Sequence, residues 1–418
     1  MTAGLGATLA PDADAGGGLA PEPLRQRVSA FVRDRVFPEE AVLDAGGPAA
    51  AEARRRLRAQ ARAAGLWALP LPAELGGGGI SLSAYALLAE AEGASDHGPT
   101  ALGSAPLLDV TMLARHGSPR VRSAYLRHLV SGDLRTCYAM TEPDVPGTEP
   151  LLTATRAERR TGGWTVTGRK WFVSHAADAD LVTVLARTSG AVGDRDGLSL
   201  LLIPTDSPGF RVVRELPVLG ATGQYEIAFD RVEVAEDQLV GEAGQALTIA
   251  GERLQLGRTL RALRWVGQAQ RAYDLLCGRA VARQGARGPL ADRQLVQQHV
   301  FESLLALRST RPLVYEAMAL VAEGREARIE VGLAKTAAAR TLQEVADRAV
   351  QVFGAAGLGP DTALPALLRT GRTARILDGP DEQHVGAVAR RALRGVGRVG
   401  VRSSDPPEVD APEECGQA

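Results

Sequence analysis

The chain has 418 residues, enough for two or three domains at roughly 150 residues each. Its 45% hydrophobic and 23% charged residues are those of a soluble globular protein, and its 47 glycines and 24 prolines stay below the roughly 25–30% share of a disordered chain. With 48 basic against 49 acidic residues the net charge is −1, which argues against a domain built to neutralise nucleic-acid phosphates.

All but two of the basic residues are arginine, the exceptions being Lys170 and Lys335; a GC-rich coding sequence accounts for that bias. Cys137, Cys277 and Cys415 are far apart and odd in number, so no disulfide framework or zinc spacing is present. The six histidines are scattered, and no metal site is expected. The first residues lack the basic start and continuous apolar run of a signal peptide, and no run approaches the roughly 18 apolar residues of a membrane span. The expectation is a cytoplasmic protein with no membrane span.

In chain order, residues 1–20 are small, Gly/Ala-rich and expected to be disordered. From 21 to 135 the pattern is helical: Leu24, Val28, Phe31, Val32 and Val36 recur at spacings of three and four, with further helical stretches near 50–66, 81–94, 106–116 and 118–131. Gly76–Gly79 interrupts them and reads as a plain flexible loop rather than a phosphate cradle, since no helix start follows at once. Across 136–240 the texture changes. Segments 164–168, 181–186, 198–203 and 210–213 are short, rich in β-branched or aliphatic residues and separated by turn-formers, and Glu226–Val234 closes the region. Short strands without intervening helices predict an antiparallel barrel or sandwich. From 241 to 400 the chain is helical again, through 243–284, 291–323, 326–354 and 381–394, as in a helical bundle. Residues 401–418 form a polar tail expected to be disordered. The fold class is therefore α+β, in the order N-terminal helical domain, central antiparallel β-barrel, C-terminal helical bundle. Gly395–Gly400 matches GxGxxG, but a helical stretch precedes it where a dinucleotide site requires a strand, so it is set aside.

Three motifs carry chemistry: Cys137-Tyr-Ala-Met-Thr-Glu-Pro-Asp-Val-Pro-Gly147, Gly168-Arg-Lys-Trp-Phe-Val-Ser-His-Ala176, and Ile376-Leu-Asp-Gly-Pro-Asp-Glu-Gln-His384. In order and spacing they resemble the acyl-CoA dehydrogenase flavoproteins, in particular the branch with MTEPDV and DGPDE motifs, over about residues 21–396. The resemblance implies FAD held between the β domain and the C-terminal bundle. Tyr138, Met140 and Thr141 would line the flavin ring, with Thr141 at its polar edge. Phe172 would pack on the ring where the family usually has tryptophan, and Ser174 would hydrogen-bond near N5. Fixed polar groups around a planar ring suit hydride transfer. Taken singly, these are equally the residues of a buried strand with satisfied hydroxyls. Arg283, Gln351 and Gly354 match positions that meet the diphosphate and adenosine ends of FAD across a subunit interface; a guanidinium suits a diphosphate because it is always charged and donates in pairs. Arg283 also reads as an ordinary exposed helix arginine.

The same resemblance makes Asp378 the carboxylate that abstracts the α-proton of an acyl thioester, with Arg258 nearby to keep it ionised. The structural alternatives are that Asp378 caps the following helix, with Asp381 and Glu382 favouring its positive end, and that Arg258 pairs with Glu252. The implied function is FAD-dependent α,β-dehydrogenation of an acyl-CoA or acyl-carrier-protein thioester, with an electron-transfer flavoprotein as possible acceptor and a homodimer or homotetramer as the assembly. A flavin monooxygenase (N-hydroxylase) on the same scaffold and a non-catalytic thioester-binding paralogue are the alternatives. The sequence departs from the family pattern at Pro146, Gly147 and Thr148, at Arg283-Gln-Gly-Ala-Arg287, and at Gly354-Ala355, changes that point to a specialised member.

Overall fold

The computed structural model describes residues 22–399; the stretch 1–20 and the tail 401–418, both expected to be disordered, lie outside those residues. The N-terminal part is helical. Helix α1 (Glu22–Phe31) runs on as a π-turn over Val32–Val36, followed by α2 (Glu40–Ala45), α3 (Gly47–Ala63), α4 (Leu82–Glu92), the single turn α5 (Gly98–Ala101), α6 (Leu107–His116) and α7 (Pro119–Ser131). Val28, Phe31, Val32 and Val36 are buried, as their spacing predicts. Serine caps start two of these helices: Ser81 Oγ accepts from Ala84 N at 3.2 Å, and Ser118 Oγ from Val121 N at 3.1 Å with Pro119 next in line. The glycine run is a loop, but a tightly packed one. The N–H groups of Gly77, Gly78 and Gly79 donate to Pro72 O, Ala68 O and Leu71 O, each at 2.9 Å, so they are not left free to wrap a phosphate.

The middle of the chain forms one eight-stranded sheet from β1 (Thr136–Ala139), β2 (Arg156–Arg160), β3 (Gly163–Ser174), β4 (Leu181–Arg187), β5 (Leu198–Pro204), β6 (Phe210–Glu215), β7 (Gln224–Ala235) and β8 (Leu239–Val240). Its order is β6-β7-β3-β2-β4-β5-β8, with β1 beside β4. The expected closed antiparallel barrel is not formed. The sheet stays open at β6 and β8, and β1 and β2 both pair with β4 in parallel. Alternation along a strand specifies which face is buried; it says nothing about whether the two edge strands meet. The two halves join at a single residue pair, Arg156 with Arg187. Apolar side chains from both halves, among them Trp164, Val184, Ile203 and Phe229, share one core.

The C-terminal part begins with α8 (Ala246–Ala282), 37 residues and about 55 Å long at 1.5 Å per residue. A small hairpin, β9 (Gln284–Gly285) with β10 (Gly288–Pro289), precedes α9 (Gln294–Ala322), α10 (Arg328–Phe353), α11 (Leu364–Ala374) and α12 (Asp381–Val399). Because α12 runs to Val399, the GxGxxG stretch has no strand–loop–helix context among the described residues. Helix α8 packs on α10, α9 and α4, so one element touches both helical parts. The largest core runs from the N-terminal helices across the inner flank of the sheet into α8, α9 and α10. A third core joins the far ends of α8 and α10 to α11. No helix among the described residues is long and apolar enough to cross a membrane.

Candidate active site

The acidic motif lies in the loop between α11 and α12. Asp378 has φ +56° and Gly379 φ +100°, two successive left-handed residues that reverse the chain before Pro380, which precedes α12. A non-glycine residue there is strained and persists only when its surroundings hold it. The surroundings do so on both sides of the peptide. Asp378 O accepts from Arg258 Nε at 2.9 Å and from His384 Nε2 at 3.2 Å, and Gly379 O accepts from Lys335 Nζ at 2.7 Å. The carboxylate faces the opposite way, with Oδ2 2.7 Å from Arg261 Nε. Oδ1 accepts no hydrogen bond among the described residues.

Helix α12 begins at Asp381, so Asp378 lies outside the capping position and is paired to α8 instead. Glu252 pairs with Arg115 at 2.9 Å and His116 at 3.1 Å, leaving Arg258 to the loop. Arg258, however, reaches the main chain of Asp378; the carboxylate is held by Arg261, one turn further along the same helix, which sequence reasoning missed. The i, i+3 spacing of the two arginines was the available signal. Asp381 is buried, receiving Arg375 Nε at 2.9 Å and Arg340 Nε at 3.1 Å. Burial opposes its charge, but the two guanidiniums prevail and hold it below the usual carboxylate range. Burial, with Arg258 and Lys335 close by, pushes His384 down to about 4, so it is a neutral Nε2–H donor at neutral pH. Burial likewise brings Lys335 down to about 8.

The second strip of the site runs from the end of β1. Tyr138 lies under Arg253, whose guanidinium carbon is 4.0 Å from the ring centroid. Arg253 Nη2 pairs with the buried Asp109 at 2.8 Å, and Thr136 Oγ1 donates to the other Asp109 oxygen at 2.8 Å. The Tyr138 hydroxyl is buried without a partner among the described residues, and burial pushes it up to about 12. Burial works against the charge of Arg253, and Asp109 chiefly holds it protonated; the same helix, α8, carries Arg258 and Arg261 to the acidic loop. Met140 O accepts from the buried Lys170 Nζ at 3.0 Å. The Thr141 hydroxyl donates to Trp171 O at 2.7 Å and Trp171 N returns a bond to Thr141 O at 3.0 Å, tying β1's extension to β3. At a register shift in β3, Phe172 adopts φ +50° and leaves 48% of its surface exposed, beside Trp171 at 4.8 Å between ring centroids. Ser174 Oγ accepts from Gln224 Nε2 at 3.0 Å.

Arg283, Gln351 and Gly354 form a separate group. Arg283 ends α8 and is exposed; Gln351 and Gly354 end α10, exposed, with open space over Gly354 at φ +65°. They flank the third core, whereas Tyr138, Met140 and Leu377 pack against the first. A groove of about 1000 Å³ between α1, α4, α8 and α9 includes none of these residues, and its arginines are matched: Arg311 with Glu90 at 3.0 Å, Arg271 with Glu40 at 2.8 Å.

Phe172, exposed in a strained backbone, with Ser174 two residues on along β3 and the Tyr138 hydroxyl of β1 unpartnered among the described residues, supplies residue types that fit a planar polar cofactor. The Asp378 carboxylate, on the loop between α11 and α12, adds a candidate base to these candidate cofactor contacts. Family models agree throughout the chain: the N-terminal domain of acyl-CoA dehydrogenase matches residues 21–133, the middle domain 137–232 and the C-terminal domain 244–393. "Probable acyl-CoA dehydrogenase FadE2" of Mycobacterium tuberculosis is 36% identical over 386 residues, covering 88% of this chain and 94% of that protein. Mouse acyl-CoA dehydrogenase family member 11 is 31% identical over 417 residues, and the chain spans about half (53%) of its length. A solved Mycobacterium abscessus structure of the acyl-CoA dehydrogenase type superposes with TM-score 0.84 at 32% identity, over 91% of this chain and 100% of that one. The chain belongs to the acyl-CoA dehydrogenase family. It is an oxidoreductase acting on CH–CH groups, with FAD as its cofactor.

Proposed function

We propose that the chain dehydrogenates an acyl thioester between its α and β carbons, with Asp378 as the base. The observation that carries this reading is the Asp378 carboxylate, ion-paired through Oδ2 with Arg261 and with Oδ1 unpaired among the described residues, on a loop anchored by three further cations or donors. A general base must present a free lone pair at a defined position. Oδ1 takes the α-proton, the Cα–H electron pair becomes the new C=C bond, and the β-hydrogen departs with its pair. FAD, when bound, supplies the acceptor for that hydride. On the chain's own side, Tyr138, Met140, Thr141, Phe172 and Ser174 would hold the flavin ring, and the Thr141–Trp171 bonds fix the spacing of the two strands that carry them. Arg258 holds the loop rather than the substrate.

Arg283, Gln351 and Gly354 lie apart from this group within one chain, which supports their meeting FAD bound to a neighbouring copy. The exposed Leu295, Phe301 and Leu305 on α9 and Val281 on α8 give such a homodimer or homotetramer an apolar surface to bury. Acyl-CoA or an acyl carrier protein as thioester donor, an electron-transfer flavoprotein as acceptor and a cytoplasmic setting belong to the same proposal. No observation favours the monooxygenase or the non-catalytic reading over it.

The test is an anaerobic titration of the FAD-loaded protein with a series of acyl-CoA and acyl-carrier-protein thioesters. Loss of visible flavin absorbance with formation of the 2-enoyl thioester is expected. Flavin that stays oxidised with every thioester would contradict the reading.

A further inference from the structure

In a chain whose cations are otherwise all arginine, both lysines are completely buried. Burying an ammonium is unfavourable unless it finds partners, and each of the two ends on a main-chain carbonyl in one strip of the candidate site. Lys170 donates to Met140 O at 3.0 Å and to Glu142 Oε1 at 2.8 Å, while Glu142 also accepts from Ala154 N at 2.8 Å and Thr155 N at 2.9 Å. Lys335, on α10, donates to Gly379 O at 2.7 Å, the one hydrogen bond to that carbonyl among the described residues. Lysine suits these positions where arginine does not: its ammonium is compact, with three donors that rotate, whereas a guanidinium is a wide planar fork.

We propose that Lys335 is a positioning residue for Asp378, pinning the Gly379 carbonyl so that the two consecutive left-handed residues keep the carboxylate aimed, with Lys170 serving the Met140–Thr141 strip in the same way. This rests on Asp378 being the base. The loop's far end is fixed by Asp381, whose N–H donates to Arg375 O at 3.1 Å and whose carboxylate takes Arg375 and Arg340. A side chain at Gly379 would lie 2.3 Å from Gln383 Oε1 and 3.0 Å from His384 Nε2, so residue 379 contributes only backbone. Arg258 and His384 hold the peptide oxygen one residue earlier, and between these anchors the Gly379 oxygen has Lys335 as its one donor among the described residues. The competing role is that of a core filler, its stem lying near Trp265 with Nζ 5.9 Å from the ring centroid.

Lys335→Met keeps the stem and removes the ammonium. In the FAD-loaded protein, hydrogen exchange of the amides of 376–381 is expected to quicken about tenfold, with α8 and α10 unchanged. Anaerobic flavin reduction by saturating thioester, tried with butyryl-, octanoyl- and palmitoyl-CoA, is expected to slow about tenfold with little change in the half-saturating concentration. Wild-type exchange in the loop, or acceleration spread evenly over α8 and α10, would overturn the proposal in favour of the filler. If Lys335→Met does not fold, Lys335→Gln, a shorter donor, is read by the same exchange pattern. For the other strip, the double variant Lys170→Met/Glu142→Gln, which leaves no buried charge unpaired, is expected to weaken FAD binding about tenfold; unchanged affinity would remove Lys170 from the proposal. Failure of the base reading is seen separately, as wild-type flavin reduction in Asp378→Asn, because the exchange measurement needs no substrate.

Discussion

Arg261 Nε lies 2.7 Å from Asp378 Oδ2, joining the longest helix to the loop before the last one. Arg258, three residues earlier on that helix, bonds the main-chain oxygen of the same aspartate at 2.9 Å. One helical turn thus fixes both the backbone and the side chain of a single residue. An aspartate is shorter than glutamate by one carbon–carbon bond, about 1.5 Å, so its placement has less slack to correct an error in the loop.

Loss of the side-chain contact is therefore expected to show in the rate. Arg261 is 42% exposed on its side of the pair, so solvent screens much of its charge effect and orientation dominates. Arg261→Met is expected to slow single-turnover flavin reduction about tenfold with FAD content unchanged. An unaltered rate would mean that the carboxylate is aimed without it.

Arg253 and Asp109 form a nearly dry ion pair over the Tyr138 ring, with 13% and 9% of their side chains exposed. Arg253→Met leaves a buried carboxylate with Thr136 as its remaining donor, and a loss of about 3 kcal/mol of stability is expected from denaturant melts. A change under about 0.5 kcal/mol would show that water reaches Asp109.

The acid limb of stability should carry the signature of His384. Its folded pKa, about 4, lies below the ordinary 6.5. Between those values the unfolded chain binds a proton that the native one does not, so stability falls as pH falls through that window, by about 3 kcal/mol in all. His384→Gln should flatten that part of the pH–stability curve measured by urea midpoints. An unchanged slope would locate the acid sensitivity elsewhere.

Phe172 separates cofactor binding from folding. Glycine adopts φ +50° without strain, and the ring is half exposed, so Phe172→Gly is expected to leave the melting temperature of the FAD-free protein unchanged or slightly raised. FAD affinity is expected to drop about tenfold. A clear loss of stability with intact FAD binding would make Phe172 a packing residue.

Much of this was legible in the residues. The 3–4 spacing of Val28, Phe31, Val32 and Val36 placed α1 and its buried face, and runs of β-branched or aliphatic residues placed β4, β5 and β7. The short strands β1 and β2 were not singled out, since Thr136–Ala139 and Arg156–Arg160 have too little alternation to register; their partners in the sheet make them strands. Helix α11 was missed too, masked by the glycine- and proline-rich approach to it. Closure of the sheet depends on where edge strands end, which no local pattern encodes. In the site, motif resemblance singled out Asp378 and Arg258; His384 stood in the same motif and Arg261 one turn from Arg258 without a partner being evident, and Lys335, on α10, meets the loop only through tertiary packing.

The central claim concerns one oxygen of one side chain. Asp378→Asn is nearly isosteric and keeps the loop's three main-chain anchors, so the variant should fold and bind FAD as the wild type does. Mixed anaerobically with a thioester that reduces the wild-type flavin, it is expected to reduce its own at least about a hundredfold more slowly. Reduction at the wild-type rate, with FAD bound, would contradict the account.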